Sequence, residues 1–400
     1  MHTLTRWLNK LVGFVVLLSP FLMTYHSAAQ PALTLQEAFA LAEGAYPVAG
    51  QKELSRQTEA LTKENLRSSF LPQVSILGQG SYQSDVTRVA IPIQGIKVPE
   101  QEKAQYRVYA DVSQQLYDGG LVREQKAVQG LNTKVEDSRV DVELHNVKTR
   151  VTNLFFGILY QQQLLAQSDL LLTDIKTGIN KVRPQVENGT VLRSSLLVLE
   201  AQKLQTEQRI IEIRNTKKGF LNALATLLKI NLGENATLEM PVIEMPEDTT
   251  VARPELRLYQ SQIDLLQGQK KLVDARNKPK LSAFLQPGYG RPGLNLFSTE
   301  FDAFYTTGIR LNWSLSGLYN FKRDKQLLGV SQRSINLQKE TFVLNTQSQL
   351  SQQSADIQKF SELITADERI IEVRHQISEA AKAQLENAVI TANDYLREVS

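Results

Sequence analysis

The chain has 400 residues, 42% of them hydrophobic and 22% charged, with a formal net charge of +3. That mixture can bury a core, so the chain is not disordered on composition, and near-neutrality gives no nucleic-acid signal. Cysteine is absent, which excludes disulfides, thiolate metal centres and cysteine nucleophiles.

Residues 1–29 read as an export signal. Arg6 and Lys10 precede the apolar run from Leu11 to Leu22, and Ser27-Ala28-Ala29 offers small residues for cleavage before Gln30. The run is too short to span a bilayer, and no later stretch is apolar enough for a membrane helix. No cysteine follows the cleavage point, so a lipoprotein anchor is not expected. Of the four histidines, His2 and His26 fall in this segment, and His145 and His375 lie far apart without metal-ligand spacing. Each reads as a surface or packed imidazole.

The rest of the chain is one unit written twice. Pro47 aligns with Pro254, Pro72 with Pro279, Ser75 with Ser282 and Tyr82 with Tyr289, without a gap. Further on Tyr117-Asp118-Gly119 matches Leu315-Ser316-Gly317, and Glu187-Asn188-Gly189 matches Glu386-Asn387-Ala388. A period of about 200 residues is a duplication, not a short-repeat solenoid. The organisation expected is a first repeat over 30–231, a linker over 232–253 containing Gly233, Pro241 and Pro246, and a second repeat over 254–400.

Each repeat orders its elements alike. A helix over 47–70 is stopped by Pro72, because proline lacks an amide donor and disfavours helix at the residue before it; Pro279 repeats the stop. A β-hairpin follows, over about 73–117 in the first copy and 281–315 in the second. Val74, Ile76 and Tyr82 fall on one face opposite Ser75, Gln79 and Ser81; Leu281, Ala283, Leu285 and Tyr289 oppose Ser282 and Gln286. The partner strands, near Tyr106–Tyr117 and Phe304–Leu315, alternate less cleanly, and their faces stay unassigned. The hairpin loops hold Pro92, Gly95 and Pro99 in one copy and Pro292 and Gly293 in the other.

After Gly119-Gly120 a long helix is predicted to 187. From Val147 to Val186 a 3-4 spacing places Val, Leu or Ile at ten of twelve seam positions, broken only by Gln161 and Ser168. A 3.5 period sustained this far means left-handed coiled-coil packing. Asn188-Gly189 turns the chain, and a return helix follows over roughly 190–231. Helix 121–187 would run about 100 Å, which equals the 47–70 helix and the return helix laid end to end. An elongated, mainly α architecture with a small β part follows.

Four strands of about ten residues have the length to cross an outer membrane, but backbone in lipid is satisfied only in a closed barrel. Barrels of this kind start near eight strands, so closure would need several subunits. A water-soluble hairpin pair packed on the helices satisfies the same pattern.

The ordered motifs resemble the outer-membrane efflux protein family, the TolC-like channel-tunnels. They are Leu33-Thr34-Leu35-Gln36-Glu37-Ala38, Tyr46-Pro47, Ser69-Phe70-Leu71-Pro72-Gln73-Val74, Leu116-Tyr117-Asp118-Gly119-Gly120, Leu311-Asn312-Trp313-Ser314-Leu315 and Asp394-Tyr395-Leu396. The resemblance implies a homotrimer whose antiparallel coiled-coil helices form an α-barrel and whose four strands per subunit form a twelve-stranded β-barrel in outer-membrane lipid. It also implies a periplasmic adaptor (membrane fusion) protein and an inner-membrane pump of RND or ABC type as partners. The duct would carry drugs, small molecules or proteins, in tripartite efflux or type I secretion, without catalytic residues or cofactors.

By the same resemblance the helical tip is the gate. The acidic positions after the second turn match Asp394 and Arg397, the latter a departure from an acidic ring, and Ser195 is the first-copy equivalent of Asp394. The turns Asn188-Gly189 and Asn387-Ala388 would meet the adaptor, with Ala388 in place of glycine predicting a differently shaped second turn. Asp394 serves equally as a carboxylate complementing a helix start. The second return helix starts near Val389 and reaches only Ser400, so a C-terminal truncation is expected, leaving an apolar groove beside helix 318–386. Two other readings are a periplasmic scaffold or adaptor without a barrel, and an enzyme using pairs such as Glu43/Glu53 or Glu362/Asp367. The last is disfavoured, since such pairs in helices are mostly solvated faces.

Overall fold

The computed structural model describes residues 32–87, 100–242, 251–295, 298–387 and 389–399. The export segment, the first hairpin loop with Pro92, Gly95 and Pro99, Pro246 of the linker and Ala388 lie outside these residues.

Helix α1 (Leu35–Ala45) opens on a capping box: the Thr34 hydroxyl accepts from the Glu37 amide, and the Glu37 carboxylate accepts from the Thr34 amide. A 3-10 turn (Pro47–Gly50) leads into α2 (Gln51–Ser68), so the expected helix over 47–70 is two pieces. Strands β1 (Gln73–Tyr82) and β2 (Ala104–Tyr117) follow Pro72. Helix α3 (Leu121–Glu187) is 67 residues long, about 100 Å, and α4 (Arg193–Leu228) returns beside it. The second copy gives α5 (Pro254–Arg276), β3 (Lys280–Arg291), β4 (Asp302–Asn312), α6 (Leu318–Glu386) and a short α7 (Ala392–Val399).

The strand-to-helix corner explains the motif around Gly119. Asp118 accepts from the amides of Gly120 and Val122 at 2.8 and 2.7 Å, and caps α3 in place of a side chain at Gly120. Gly119 has φ +74°, and a Cβ there would lie 2.6 Å from Lys278 Cβ, so no larger residue fits. At the matching corner of the second copy, the Trp313 indole donates to the Asn277 carbonyl at 3.0 Å and ties β4 to the end of α5.

Helix α3 is the spine. Its sheet-side half packs on α2 and α5, and its far half on α4. All twelve seam positions from Val147 to Val186 are buried or half-buried, Gln161 and Ser168 included. Ser168 is tolerated because its hydroxyl donates to the Leu164 carbonyl within the helix. Near mid-length Val147, Val151, Phe155 and Ile158 meet Ala38 and Ala42 of α1 and Leu221, Leu224 and Leu228 of α4. The linker belongs to this core: Leu238 is buried, and the Leu33 amide donates to the Thr237 carbonyl.

Among the described residues helix α6 is packed only at its ends. Its start meets α5 through Lys325–Asp274, Lys270–Gln332 and the Tyr259–Phe342 ring pair. Its last turns carry Ala381 and Leu385 into a core with Ile175, Ile179, Val182, Leu199 and Tyr395. Between 347 and 377 every side chain except Asp356 is exposed. The expected apolar face along this helix is present, marked by Leu350, Ile357, Phe360, Ile364 and Ile371.

Candidate functional site: the uncovered sheet and the helical tip

Both hairpins join one antiparallel sheet of order β1-β2-β3-β4, so β2 and β3, far apart in sequence, pair directly. The register assigns the faces left open by the sequence pattern. Val74, Ile76 and Tyr82 share a face with Tyr106, Val108 and Val112. The β2–β3 and β3–β4 registers continue that face through Leu281, Leu285 and Tyr289 to Ala303, Tyr305, Ile309 and Leu311. The opposite face carries Gln73, Ser75, Gln79, Arg107, Asp111, Ser113, Lys280, Ser282, Gln286, Thr306 and Arg310.

The alternation in β2 is blurred by a bulge between Gln115 and Tyr117, where the Gln115 amide donates to the Leu281 carbonyl at 3.0 Å. In β4 it is blurred by aromatics on the polar face. Phe304 lies opposite Gly288 and Phe284 opposite Gly308; a Cβ at Gly288 would sit 2.5 Å from Phe304 Cζ. Each ring covers the backbone that its glycine partner leaves bare, a device for holding register.

Among the described residues nothing covers the apolar face. Ile76 is 81% exposed, Tyr305 69% and Ile309 69%, values opposite to those of a sheet packed on its own core. Strands β1 and β4 are edges, each with a free hydrogen-bonding side. Ten or eleven residues tilted by about 40° rise about 26 Å, the height of the apolar band of a transmembrane barrel. Tyr82, Tyr106, Tyr289 and Tyr305 ring the loop end of that face, with Tyr117 and Trp313 at the helix end. Among the described residues no helix is long and apolar enough to cross a membrane.

At the other end of the molecule the two turns share one closing hydrogen bond. In the first, the Thr190 amide donates to the Gln185 carbonyl and the Gly189 amide to the Val186 carbonyl, with Gly189 at φ +73°. In the second, the Val389 amide donates to the Gln384 carbonyl at 2.9 Å, the same six-residue closure. Asn387 adds a side-chain bond to the Ala383 carbonyl at 2.9 Å.

The expected gate residues are distributed unevenly. Asp394 closes a capping box on α7: its carboxylate accepts from the Thr391 hydroxyl at 2.6 Å and the Thr391 amide at 3.2 Å, and its own amide donates to the Thr391 hydroxyl. The bond from the Thr391 side chain, then that from its backbone, hold the Asp394 carboxyl below its ordinary range, and Arg397 on the next turn adds to the effect. Ser195 stands at the same place in α4, where the N-cap is Leu192 and no side-chain cap exists. The carboxylate therefore performs the helix-start role in this structure, and no acidic partner accompanies it in the first repeat.

Tyr395, quoted from the sequence only within the Asp394-Tyr395-Leu396 motif, and a pair not singled out there hold the tip together. Tyr395 is buried against Gly178, its hydroxyl at 3.5 Å from the Asp174 carbonyl; burial, then Asp174 and Glu379, raise its pKa. Lys181 pairs with Glu386, and Gln185 donates to the Glu386 carbonyl at 3.3 Å, linking α3 to α6. Thr391-x-x-Asp394 before an apolar residue is a capping signature readable in sequence; the Lys181–Glu386 pair has no local signal.

The residues invoked for hydrolysis do not form a site. Glu43 pairs with Lys148 at 2.8 Å, Glu53 accepts from Gln57 and Glu362 from Gln358, each on a helix surface. His145 is half-buried, its pKa lowered by burial and then by Arg253, and His375 is exposed. Among the described residues no group of three metal-ligating side chains comes together.

A long helical body carrying a four-stranded sheet at one end defines the TolC-like outer-membrane-factor fold. Solved structures that it resembles include outer-membrane channels. They include CusC, described in terms of folding and transmembrane channel formation (TM-score 0.68, 12% identity, 91% of this chain and 85% of that one). They also include the open state of the MtrE outer membrane channel of Neisseria gonorrhoeae (0.65, 16%, 91% and 82%) and the CmeC outer membrane channel of Campylobacter jejuni (0.62, 13%, 91% and 79%). No protein-family model and no curated protein sequence matches the chain.

Proposed function

We propose that this protein is the outer-membrane channel of a tripartite export system, a passive duct made by three copies. The observation that carries this reading is the sheet: apolar on one face, polar on the other and, among the described residues, uncovered on both, with two free edges. Lipid satisfies the apolar face, and pairing β4 of one copy with β1 of the next closes twelve strands with no edge left. The long helices then extend from the membrane into the periplasm, and their turns at Asn188-Gly189 and Asn387-Ala388 face the adaptor of an RND- or ABC-type pump. Asp394, Arg397 and Ser195 sit beside the tip opening. With one carboxylate per copy beside a cation, this gate is not an acidic ring. The energy of transport comes from the pump, so the chain needs neither cofactor nor catalytic group.

The test is electrophoresis of unheated and heated detergent extracts of the outer membrane, followed by planar-bilayer recording. A trimer that dissociates only on heating, with stepwise conductance, is the expected result. A monodisperse monomer in surfactant-free buffer would overturn the reading and favour a periplasmic scaffold.

A further inference from the structure

The polar face of the sheet is not uniform in charge. Toward the hairpin loops Arg107 and Asp302 stand at one level, both opposite Gly290, and the next carboxylate along, Asp111, accepts from the Gln286 amide at 3.0 Å. At the end nearest the helices the same face carries Lys280 and Arg310. Neither has a carboxylate within ion-pair distance among the described residues; Arg310 lies over the Phe284 ring at 4.7 Å instead. The first hairpin places Gln73 and Ser113 at this end, both neutral.

Distances decide whether the excess is felt. Lys280 and Arg310 are diagonal neighbours on adjacent strands, about 8 Å apart along the sheet. Asp111 is four residues along the strands from the level of Arg310, about 14 Å. The screening length at physiological ionic strength is about 8 Å, so the two cations reinforce each other while the carboxylate is largely screened from them.

We infer that Lys280 and Arg310 form a basic ring where barrel meets helical tunnel, and that it gives the duct a preference for anionic solutes. The inference rests on the channel reading, which puts the polar face inside and makes six cations from three copies. A low-dielectric wall lined by one sign of charge raises the local concentration of counter-ions. At the tip, Arg397 on the next turn offsets Asp394.

The experiment is reversal-potential measurement on the full-length channel in planar bilayers under a KCl gradient. The native channel should favour chloride over potassium, most strongly near 0.1 M salt and weakly near 1 M, as screening requires. Replacing both residues (K280Q with R310Q) should lower the chloride-to-potassium permeability ratio by about twofold or more, whereas R107Q, beside Asp302, should change it less. Should the pair fail to insert, block of the native channel by hexametaphosphate supplies a second reading: block that weakens with salt supports the ring. Stepwise conductance with cation preference, or a ratio unmoved by the double substitution, overturns the inference and leaves the channel standing. Absence of conductance from the native protein overturns the channel reading itself.

Discussion

Helices α3 and α6 are 67 and 69 residues long and occupy the same place in their repeats, yet α3 buries fourteen residues and α6 only Ala381 and Leu385. Both carry apolar residues at coiled-coil spacing. In α3 each is met by α1, α2, α4 or α5; in α6 the positions between 347 and 377 face water within one chain. Periodicity thus marks a face that requires a partner, while burial depends on whether the same chain supplies one. The proposed trimer gives the bare face of α6 a place to pack.

Mutation can break or sharpen this contrast. Phe155→Ala should destabilise the helical body by about 3–5 kcal/mol, because the ring is fully buried where α1, α3 and α4 meet. Phe360→Ala in α6, 56% exposed, should change the unfolding free energy of the isolated chain by no more than about 0.5 kcal/mol. Equal costs in chemical denaturation would mean that α6 is buried in the single chain after all. At the tip, Gly178→Leu should cost about 1–3 kcal/mol, since even a Cβ would lie 3.2 Å from Tyr395 Cε1. The readout is hydrogen exchange of α7, with the sheet end of α3 unaffected.

The two turns allow a finer contrast. Thr391→Ala removes the capping box and should cost about 1 kcal/mol of α7 stability, while Leu192→Thr should stabilise the start of α4 by a similar or smaller amount. Amide exchange in the first turn of each helix checks both. A pH effect of the same origin belongs only to the second turn. The Asp394 carboxyl lies below its ordinary value of 3.8 in the folded chain, so its stabilising effect is complete above that value. It is lost as pH falls from there through the folded pKa. Asp394→Asn should erase that acid-dependent step in α7 exchange and leave α4 unchanged.

Features governed by neighbours in sequence were legible before the structure. Pro72 and Pro279 stand between helix and strand, Gly119-Gly120 starts α3, and the seam from Val147 to Val186 is buried or half-buried throughout. The faces of β2 and β4 were not legible, because a bulge at Gln115–Tyr117 and rings placed over Gly288 and Gly308 break the period of two. The β2–β3 pairing joins segments separated by the entire α3–α4–α5 excursion, and no local pattern encodes it. At the tip, Asp394 was readable as gate or as helix start; the Thr391 box shows it in the second role. Tyr395 and the Lys181–Glu386 link, which hold that tip, depend on helices meeting and left no mark in local spacing.

The uncovered strands also set an order of events in biogenesis. The helical half has two cores of its own, whereas among the described residues the sheet has bare edges and a bare greasy side, which the proposed trimer and a bilayer would cover. On the proposed channel reading, the chain would reach the membrane with its strands unfinished, the condition in which edge-to-edge clumping competes with insertion. Under that proposal, escort by a holding chaperone until the cylinder closes is the consequence of leaving the sheet bare.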